Sequence, residues 1–132
     1  MPMKTCSIRT RQRNQFLEVT SQVAEFVAQS GVQSGVVTVF VPHTTAGVTI
    51  NENADPDVVH DFLMTLEQIF PQHRPGYRHA EGNSDSHLKA SYVGSSVAVL
   101  VDQGRLQLGT WQGIFFCEFD GPRTRQYFMH IQ

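Results

Sequence analysis

The apolar positions along the chain follow two spacings, and these separate the predicted strands from the predicted helices. Alternating or continuous apolar runs that are rich in Val, Ile and Phe are typical of β-strands. They predict eight strands, at 4–10, 14–19, 35–41, 48–50, 97–101, 105–108, 114–119 and 124–131. Apolar residues three and four positions apart predict helices instead, at 20–31, at 56–70 and, for a short helix, at 85–92.

Local signals mark the helix boundaries. Asp55 is predicted to cap the second helix, and Pro56 suits its first position. Ser84 is predicted to cap the short helix, and Gly94 is predicted to end it. The stretch between these helices, 71–83, is a loop of about a dozen residues, and loops of that length inside a compact domain are often functional.

The order of the elements favours an α+β fold with mostly antiparallel strands, because it lacks the regular βαβ alternation of a doubly wound sheet. The strands at 114–119 and 124–131 carry apolar residues on both faces. A single sheet that is wet on one side would alternate more cleanly. Either two sheets pack together, therefore, or the second face is buried between subunits, and we expect a single domain over residues 1–132.

Composition and charge narrow the function classes. The chain is 40% hydrophobic, has a net charge of −2 and lacks a basic stretch, so we expect no nucleic-acid partner. Its apolar runs fall far short of the ~20 residues of a membrane helix, and the amino terminus shows no leader pattern, so we expect no membrane partner. The widely spaced Cys6 and Cys117 suit free thiols in the cytoplasm, with Cys117 buried and inert.

Two polar segments follow apolar strands and are candidates for chemistry. The segment 42–47 contains His43 at the end of a strand, where loops often present reacting groups. Its alternative role is a plain turn with a solvated histidine. The segment 51–57 contains Glu52 and Asn53 and resembles an oxygen-ligand cluster for a hard cation, but it lacks the spacing of an EF-hand.

A third segment, 79–87, is the densest polar run in the chain. Within nine residues it contains two histidines and two carboxylates: His79, Glu81, Asp85 and His87. Histidine and carboxylate ligands suit Zn²⁺ or another divalent ion, and a folded loop can bring the two histidines to His43. The alternative is that Gly, Asn, Ser and Asp collect here only to form turns.

The second half of the chain adds candidate substrate contacts. Trp111, next to Gln112, is either a stacking platform for an aromatic ring or a residue of the core or of a subunit interface. Arg123 and Arg125 are candidates for bidentate phosphate binding, and Lys89 is a candidate point charge.

Taken together, the motifs of the chain resemble a known family. They are His43-Thr-Thr-Ala-Gly, Asn51-Glu-Asn-Ala-Asp-Pro-Asp57, His79-x-Glu-Gly-Asn-Ser-Asp-x-His87-x-Lys-Ala-Ser91 and Leu108-Gly-Thr-Trp-Gln-Gly-Ile114. In this order they resemble the YjbQ-like family, also called the secondary thiamine-phosphate synthase family. The resemblance implies an α+β protein with a mostly antiparallel β-sandwich, two main helices and a short one, which forms a homotrimer through its sheets. It also implies a weak thiamine-phosphate synthase activity.

The first functional hypothesis follows from this resemblance. It is a transferase that couples an aminopyrimidine diphosphate to a thiazole phosphate, with a divalent ion, Zn²⁺ or Mg²⁺, at the site. The catalytic candidates are His43, Glu52, Glu81 and Asp85. The metal-ligand candidates are His43, His79 and His87. The substrate-binding candidates are Asn53, Lys89, Trp111, Gln112 and Arg123.

Two alternatives remain open at this stage. One is another metal-assisted enzyme, such as a hydrolase, in which the three histidines hold the ion and Glu81 or Asp85 acts as the base. The other is a trimeric protein without enzymatic activity that binds a small ligand in the same polar loops.

Overall fold

The computed structural model describes residues 3–132, which form eight strands and three helices. The strands are β1 (Lys4–Arg9), β2 (Gln15–Glu18), β3 (Ser34–Phe40), β4 (Ala46–Glu52), β5 (Ser96–Asp102), β6 (Arg105–Leu106), β7 (Gln112–Glu118) and β8 (Thr124–Ile131). The helices are α1 (Thr20–Ser30), α2 (Pro56–Ile69) and α3 (Ser84–Val93). Every predicted strand and helix is present.

The strands form two antiparallel sheets. Sheet A has the order β1-β8-β3-β5-β6, and sheet B has the order β2-β7-β4. Their inner faces and α1 share one hydrophobic core, in which the rings of Phe116 on β7 and Tyr127 on β8 lie 6.2 Å apart. The prediction of a single α+β domain with antiparallel sheets is therefore confirmed.

The second face of sheet B is covered by α2 and α3. Phe115, Cys117 and Phe119 point to that side and pack with Leu66 of α2 and Ala90 of α3. Of the two explanations for apolar residues on both faces of β7, the packing of two sheets is thus correct, and helices of the same chain cover the other side. Cys117 is fully buried, and burial raises the pKa of its thiol well above the usual range, as expected for an inert cysteine.

The helix boundaries follow the predicted chemistry with one exception. The Asp55 carboxylate accepts a hydrogen bond from the Asp57 backbone N–H at 2.9 Å, and α2 begins at Pro56. The prediction that Ser84 caps α3 is wrong: Asn83 is the cap, because its backbone carbonyl accepts the bond from the Ser86 N–H at 3.0 Å. None of the helices between residues 3 and 132 is long and apolar enough to cross a membrane.

A close approach between α3 and β4 sets the position of the candidate site. Gly47 on β4 lies so near the end of α3 that an added Cβ atom would be 2.5 Å from the Gly94 carbonyl oxygen. The backbone N–H of Val48 donates to the same oxygen at 3.0 Å. The absence of a side chain at Gly47 therefore lets α3 lie directly over the start of β4.

Candidate functional site

A cleft of about 410 Å³ opens between α3 and the connection from β3 to β4. We call it the His43 cleft; its lining includes His43, Thr44, Ala46, His87, Ser91 and Ser95. His43 reaches it from the connection that precedes β4, while His87 and Ser91 lie one turn apart on α3. The structure thus brings two of the predicted histidines to the walls of one cleft.

The imidazole of His43 is fixed by β8. Its Nε2 atom accepts a hydrogen bond from the backbone N–H of Gln126 at 3.0 Å. Burial and, to a smaller extent, the positive charge of Arg125 lower the pKa of His43 below its usual value of 6.5. In its neutral form the ring carries its proton on Nδ1, because Nε2 already acts as an acceptor. His43 therefore has an N–H group to offer to a ligand oxygen.

The backbone next to His43 is held by a buried ion pair, which we call the Glu118 pair. The Arg125 guanidinium donates to both carboxylate oxygens of Glu118, through Nε at 2.9 Å and through Nη2. The same Nη2 donates to the Thr45 hydroxyl at 2.7 Å, and Thr10 donates to Glu118 at 2.8 Å. Burial alone would raise the pKa of Glu118, but the hydrogen bonds, led by Arg125, outweigh it and lower the pKa.

A second, more apolar cleft of about 400 Å³ borders the first. We call it the Tyr77 cleft; it is lined by Tyr77, His79, Ser84, His87 and Leu88. The rings of His79 and His87 meet edge to face with their centres 5.3 Å apart. A carboxylate oxygen of Glu81, in the same loop, lies 3.7 Å from His79 Nε2, and both side chains are exposed. Loop 71–83 thus brings His79 to His87, but of the three histidines expected to converge, only His43 and His87 are among the lining residues of the His43 cleft.

Asp85 and Lys89 are buried in a second ion cluster beneath α3. Both oxygens of Asp85 accept hydrogen bonds from Arg13, at 2.9 and 3.0 Å, and one also accepts from Lys89 at 2.8 Å. Lys89 binds Glu67 of α2 as well. Burial would raise the pKa of Asp85, but Arg13 and then Lys89 lower it below the usual range. The charges are mutually satisfied, so this geometry favours a structural role for Asp85 and Lys89.

The remaining predicted residues lie at the other end of sheet B. Glu52 pairs with Gln112 at the far end of the β4–β7 ladder, and the Asn53 backbone N–H donates to the Trp111 carbonyl at 2.9 Å. Since β4 runs from Ala46 to Glu52, this group is about 20 Å from the start of the strand, where the His43 cleft lies. A single chain therefore does not bring Glu52, Asn53, Trp111 and Gln112 to the histidines.

Trp111 and the arginines also have defined surroundings. The Trp111 side chain is 61% exposed, which excludes the core of this chain as its environment. Arg123 is exposed and pairs with Asp120 at 3.1 Å, whereas Arg125 is buried and fully engaged with Glu118 and Thr45. Of the two predicted phosphate-binding arginines, only Arg123 has access to a ligand.

The donor groups present do not fit a protein-held metal ion within one chain. Among residues 3–132, no three His, Cys, Asp or Glu side chains lie close enough together to hold a metal. His43 uses Nε2 to accept from Gln126, and Asp85 is saturated by Arg13 and Lys89. A three-histidine or carboxylate centre would need these groups to be rearranged.

Comparison with known proteins agrees with this architecture. Residues 4–132 match the family described as UPF0047 protein YjbQ-like. The chain belongs to this family. It is 50% identical to the UPF0047 protein YugU of Bacillus subtilis over 129 residues, 98% of each chain. A crystal structure of a YjbQ/UPF0047 family protein from Clostridium acetobutylicum superimposes with a TM-score of 0.96 at 51% identity, covering 98% of this chain and 99% of that one.

The likeness extends to a solved structure of lower sequence identity. The crystal structure of a hypothetical protein from Aeropyrum pernix superimposes with a TM-score of 0.94 at 36% identity and covers 100% of this chain and 98% of that one. The family match includes both clefts and both buried ion clusters, since all of them lie between residues 4 and 132.

Sequence reasoning missed several residues that shape the site in this YjbQ-like chain. Glu118 is one, although a carboxylate inside the apolar run 114–119 is itself a signal, because a buried charge requires a partner. Arg13 and Thr10 gave no such local signal. A larger cleft, of about 610 Å³ between α1 and β6, also went unpredicted, but it is lined mostly by small and apolar residues and contains no histidine or carboxylate.

Proposed function

We propose that the His43 cleft binds the phosphate group of a small molecule and that the chain catalyses a transfer reaction there. The observation that supports this most is the fixed imidazole of His43, which lines the cleft with Thr44, Ser91 and Ser95 and whose Nδ1 makes no hydrogen bond among residues 3–132. An N–H held in place costs little reorganisation when it meets developing negative charge. His87 adds a second imidazole on the opposite wall.

The reaction that we propose is the one implied by the family resemblance, the coupling of an aminopyrimidine diphosphate to a thiazole phosphate. The thiazole ring nitrogen forms a bond to the methylene carbon of the pyrimidine, and the bond from that carbon to the diphosphate oxygen breaks. The departing diphosphate gains charge, which hydrogen-bond donors of the cleft stabilise. A Mg²⁺ ion that enters on the diphosphate would be part of the substrate, since Mg²⁺ binds largely through substrate phosphates.

The experiment is an assay of purified protein with both substrates and Mg²⁺, with the product measured by liquid chromatography and mass spectrometry. We expect thiamine phosphate above the level of a heat-killed sample, and a loss of at least about tenfold in His43→Ala, because one donor to a transition-state charge is typically worth that much or more. The matched control is His60→Ala, since the His60 side chain is 71% exposed on α2. Absence of product in the wild type would refute the transferase.

A second candidate is a binding protein without turnover. Within the described chain, no carboxylate lines the His43 cleft, so it holds donors but no acidic partner for proton transfer. A thermal-shift measurement with the aminopyrimidine diphosphate distinguishes the two functions. Stabilisation that requires His43 but is never followed by product favours the binding protein.

We also propose that the chain forms a homotrimer through the outer face of sheet A. On this face the rings of Phe40 and Phe128 stack with their centres 6.3 Å apart, and Leu100 is 65% exposed. Exposed apolar groups of this kind are typical of an association surface. Light scattering should give three times the monomer mass for the wild type and a smaller species for Leu100→Asp; a wild-type monomer would exclude the trimer.

A further inference from the structure

The His43 cleft is the first of three neighbouring clefts, which together we call the groove. It shares His87 with the Tyr77 cleft, and the Tyr77 cleft shares Tyr77, His79 and Ser84 with a third cleft of about 360 Å³. We call this third cleft the Arg74 cleft. The shared side chains place the three spaces next to one another along α3 and loop 71–83, and the rings of His79 and His87 meet edge to face between them.

The Arg74 cleft has the chemistry of an anion site. It is lined by Arg74, His73 and His79, together with the hydroxyl of Ser84, and within the described chain none of its lining residues is acidic. The guanidiniums of Arg13, Arg123 and Arg125 are all paired with carboxylates, whereas that of Arg74, like those of Arg11, Arg78 and Arg105, has no hydrogen bond or ion pair among residues 3–132. Of these four arginines, Arg74 is the one that lines this cleft. Glu81 is the one acidic residue of loop 71–83, and its side chain, beside His79, is 72% exposed.

The middle of the groove has a different character. Tyr77 and Leu88 border it, together with the imidazole rings of His79 and His87, which meet edge to face. Such a space suits a planar ring rather than a charged group, because aromatic and aliphatic walls offer area without charge. The groove is therefore polar at the His43 end, apolar in its middle and cationic at the Arg74 end.

We infer that Arg74 and His73 form a phosphate subsite for a second substrate, a planar heterocycle that carries a phosphate monoester. Its phosphate lies at Arg74 and its ring lies between Tyr77 and Leu88, so that the ring points toward the His43 cleft. The inference rests on the proposed function for the His43 end. It extends that function by separating the two phosphate groups: the leaving diphosphate at the His43 end, and the monoester that is retained in the product at Arg74.

The test is a binding measurement that needs no turnover. Phenyl phosphate, a planar ring with a phosphate monoester, is titrated into the wild type, Arg74→Gln and Arg105→Gln by isothermal titration calorimetry. We expect Arg74→Gln to weaken binding roughly 10- to 100-fold, as is typical when a charged hydrogen-bond partner is removed. Arg105 is the matched control, because it is an exposed arginine that lines the unrelated cleft beside α1. Thermal melts of all three proteins show that each is folded.

The outcomes separate this subsite from the proposed function. Equal affinity in Arg74→Gln and the wild type, or no wild-type binding, overturns the subsite whatever the coupling assay shows. Binding that depends on Arg74 supports the subsite even if no thiamine phosphate is ever formed, in which case only the transferase fails. If coupling is observed, Arg74→Gln should raise the KM for the thiazole phosphate and leave the KM for the diphosphate unchanged; the reverse pattern overturns the assignment of the two ends.

Discussion

The backbone N–H of Gln126 on β8 donates to Nε2 of His43 at 3.0 Å, which joins the edge of the candidate site to an interior strand of sheet A. This bond fixes the ring and determines which nitrogen carries the proton. The same neighbourhood places the positive charge of Arg125 near His43, which opposes protonation of the imidazole. Burial and this charge thus both favour the neutral form of His43 over the imidazolium.

This arrangement predicts a pH dependence of stability. The pKa of His43 is lower in the folded chain than its usual value of 6.5, so below that pH the unfolded chain binds more protons. The free energy of unfolding should therefore decline as pH falls below 6.5, and the decline should be smaller in His43→Gln. Urea denaturation between about pH 7.5 and 5.5 measures both slopes. Equal slopes in the two proteins would contradict the shift.

Removal of the Lys89 side-chain charge should lower the free energy of unfolding. Its ammonium lies buried between Asp85 and Glu67, and breaking a buried pair by removing one partner typically costs about 3–5 kcal/mol. We expect Lys89→Met to lower the free energy of unfolding by about 3 kcal/mol, near the lower end because Arg13 still pairs with Asp85. The control is Lys4→Met at an exposed position of β1. Unchanged stability with lost phosphate binding would instead make Lys89 a substrate residue.

The Glu118 pair predicts a second effect of pH on the free energy of unfolding, in a more acidic range than that of His43. Arg125 lowers the pKa of Glu118 below its usual value of 4.5 despite burial. The stabilisation is therefore complete above pH 4.5 and is lost as pH falls through the lower folded-state pKa. Glu118→Gln should be several kcal/mol less stable than the wild type at neutral pH, and the difference should narrow in acid. Denaturation curves at neutral pH and below pH 4.5 test this, and Glu25→Gln, at an exposed position, is the control. A stability difference between Glu118→Gln and the wild type that does not change with pH would refute it.

Local sequence patterns were sufficient for the elements of this fold. The spacing of Val23, Phe26 and Val27 predicts α1, and the Asp55-Pro56 pair predicts the start of α2, because both signals act within one or two helical turns. Phe115 and Phe116, on opposite faces of β7, likewise predict a strand that is covered on both sides. These features depend on neighbours in the chain.

The site was harder to predict because its geometry is not local. His43 and Glu52 are close in sequence, yet an extended strand between them carries the two side chains to opposite ends of sheet B. From its sequence context Lys89 resembles a phosphate ligand. In the fold it belongs to a buried cluster that Arg13, 72 positions away from Asp85, completes. The partnership of His79 and His87 was predictable, since one loop and the first turns of one helix connect them.

Gly47 should be required for the shape of the His43 cleft. A Cβ atom there would lie 2.5 Å from the Gly94 carbonyl oxygen, which belongs to the backbone and cannot rotate away. We expect Gly47→Ala to move α3 away from β4 and to lower the free energy of unfolding by about 1–3 kcal/mol, a typical cost of overpacking. The control is Gly109→Ala, where the nearest atom is 3.3 Å away on the flexible Gln112 side chain. Equal stability of the two variants would show that the approach of α3 to β4 is not tight.

Trp111 tests whether the two ends of sheet B act together. It is the single tryptophan of the chain and is 61% exposed, about 20 Å along the sheet from the His43 cleft. If each chain binds its ligand alone, phenyl phosphate should leave the fluorescence of Trp111 unchanged, and Trp111→Phe should bind it with wild-type affinity. If a neighbouring subunit of a homotrimer brings its Trp111 to the groove, binding should shift the emission, and Trp111→Phe should bind more weakly. The variant Leu100→Asp, which should disrupt the trimer, tests the second case, because a contact across subunits is lost when the chains separate.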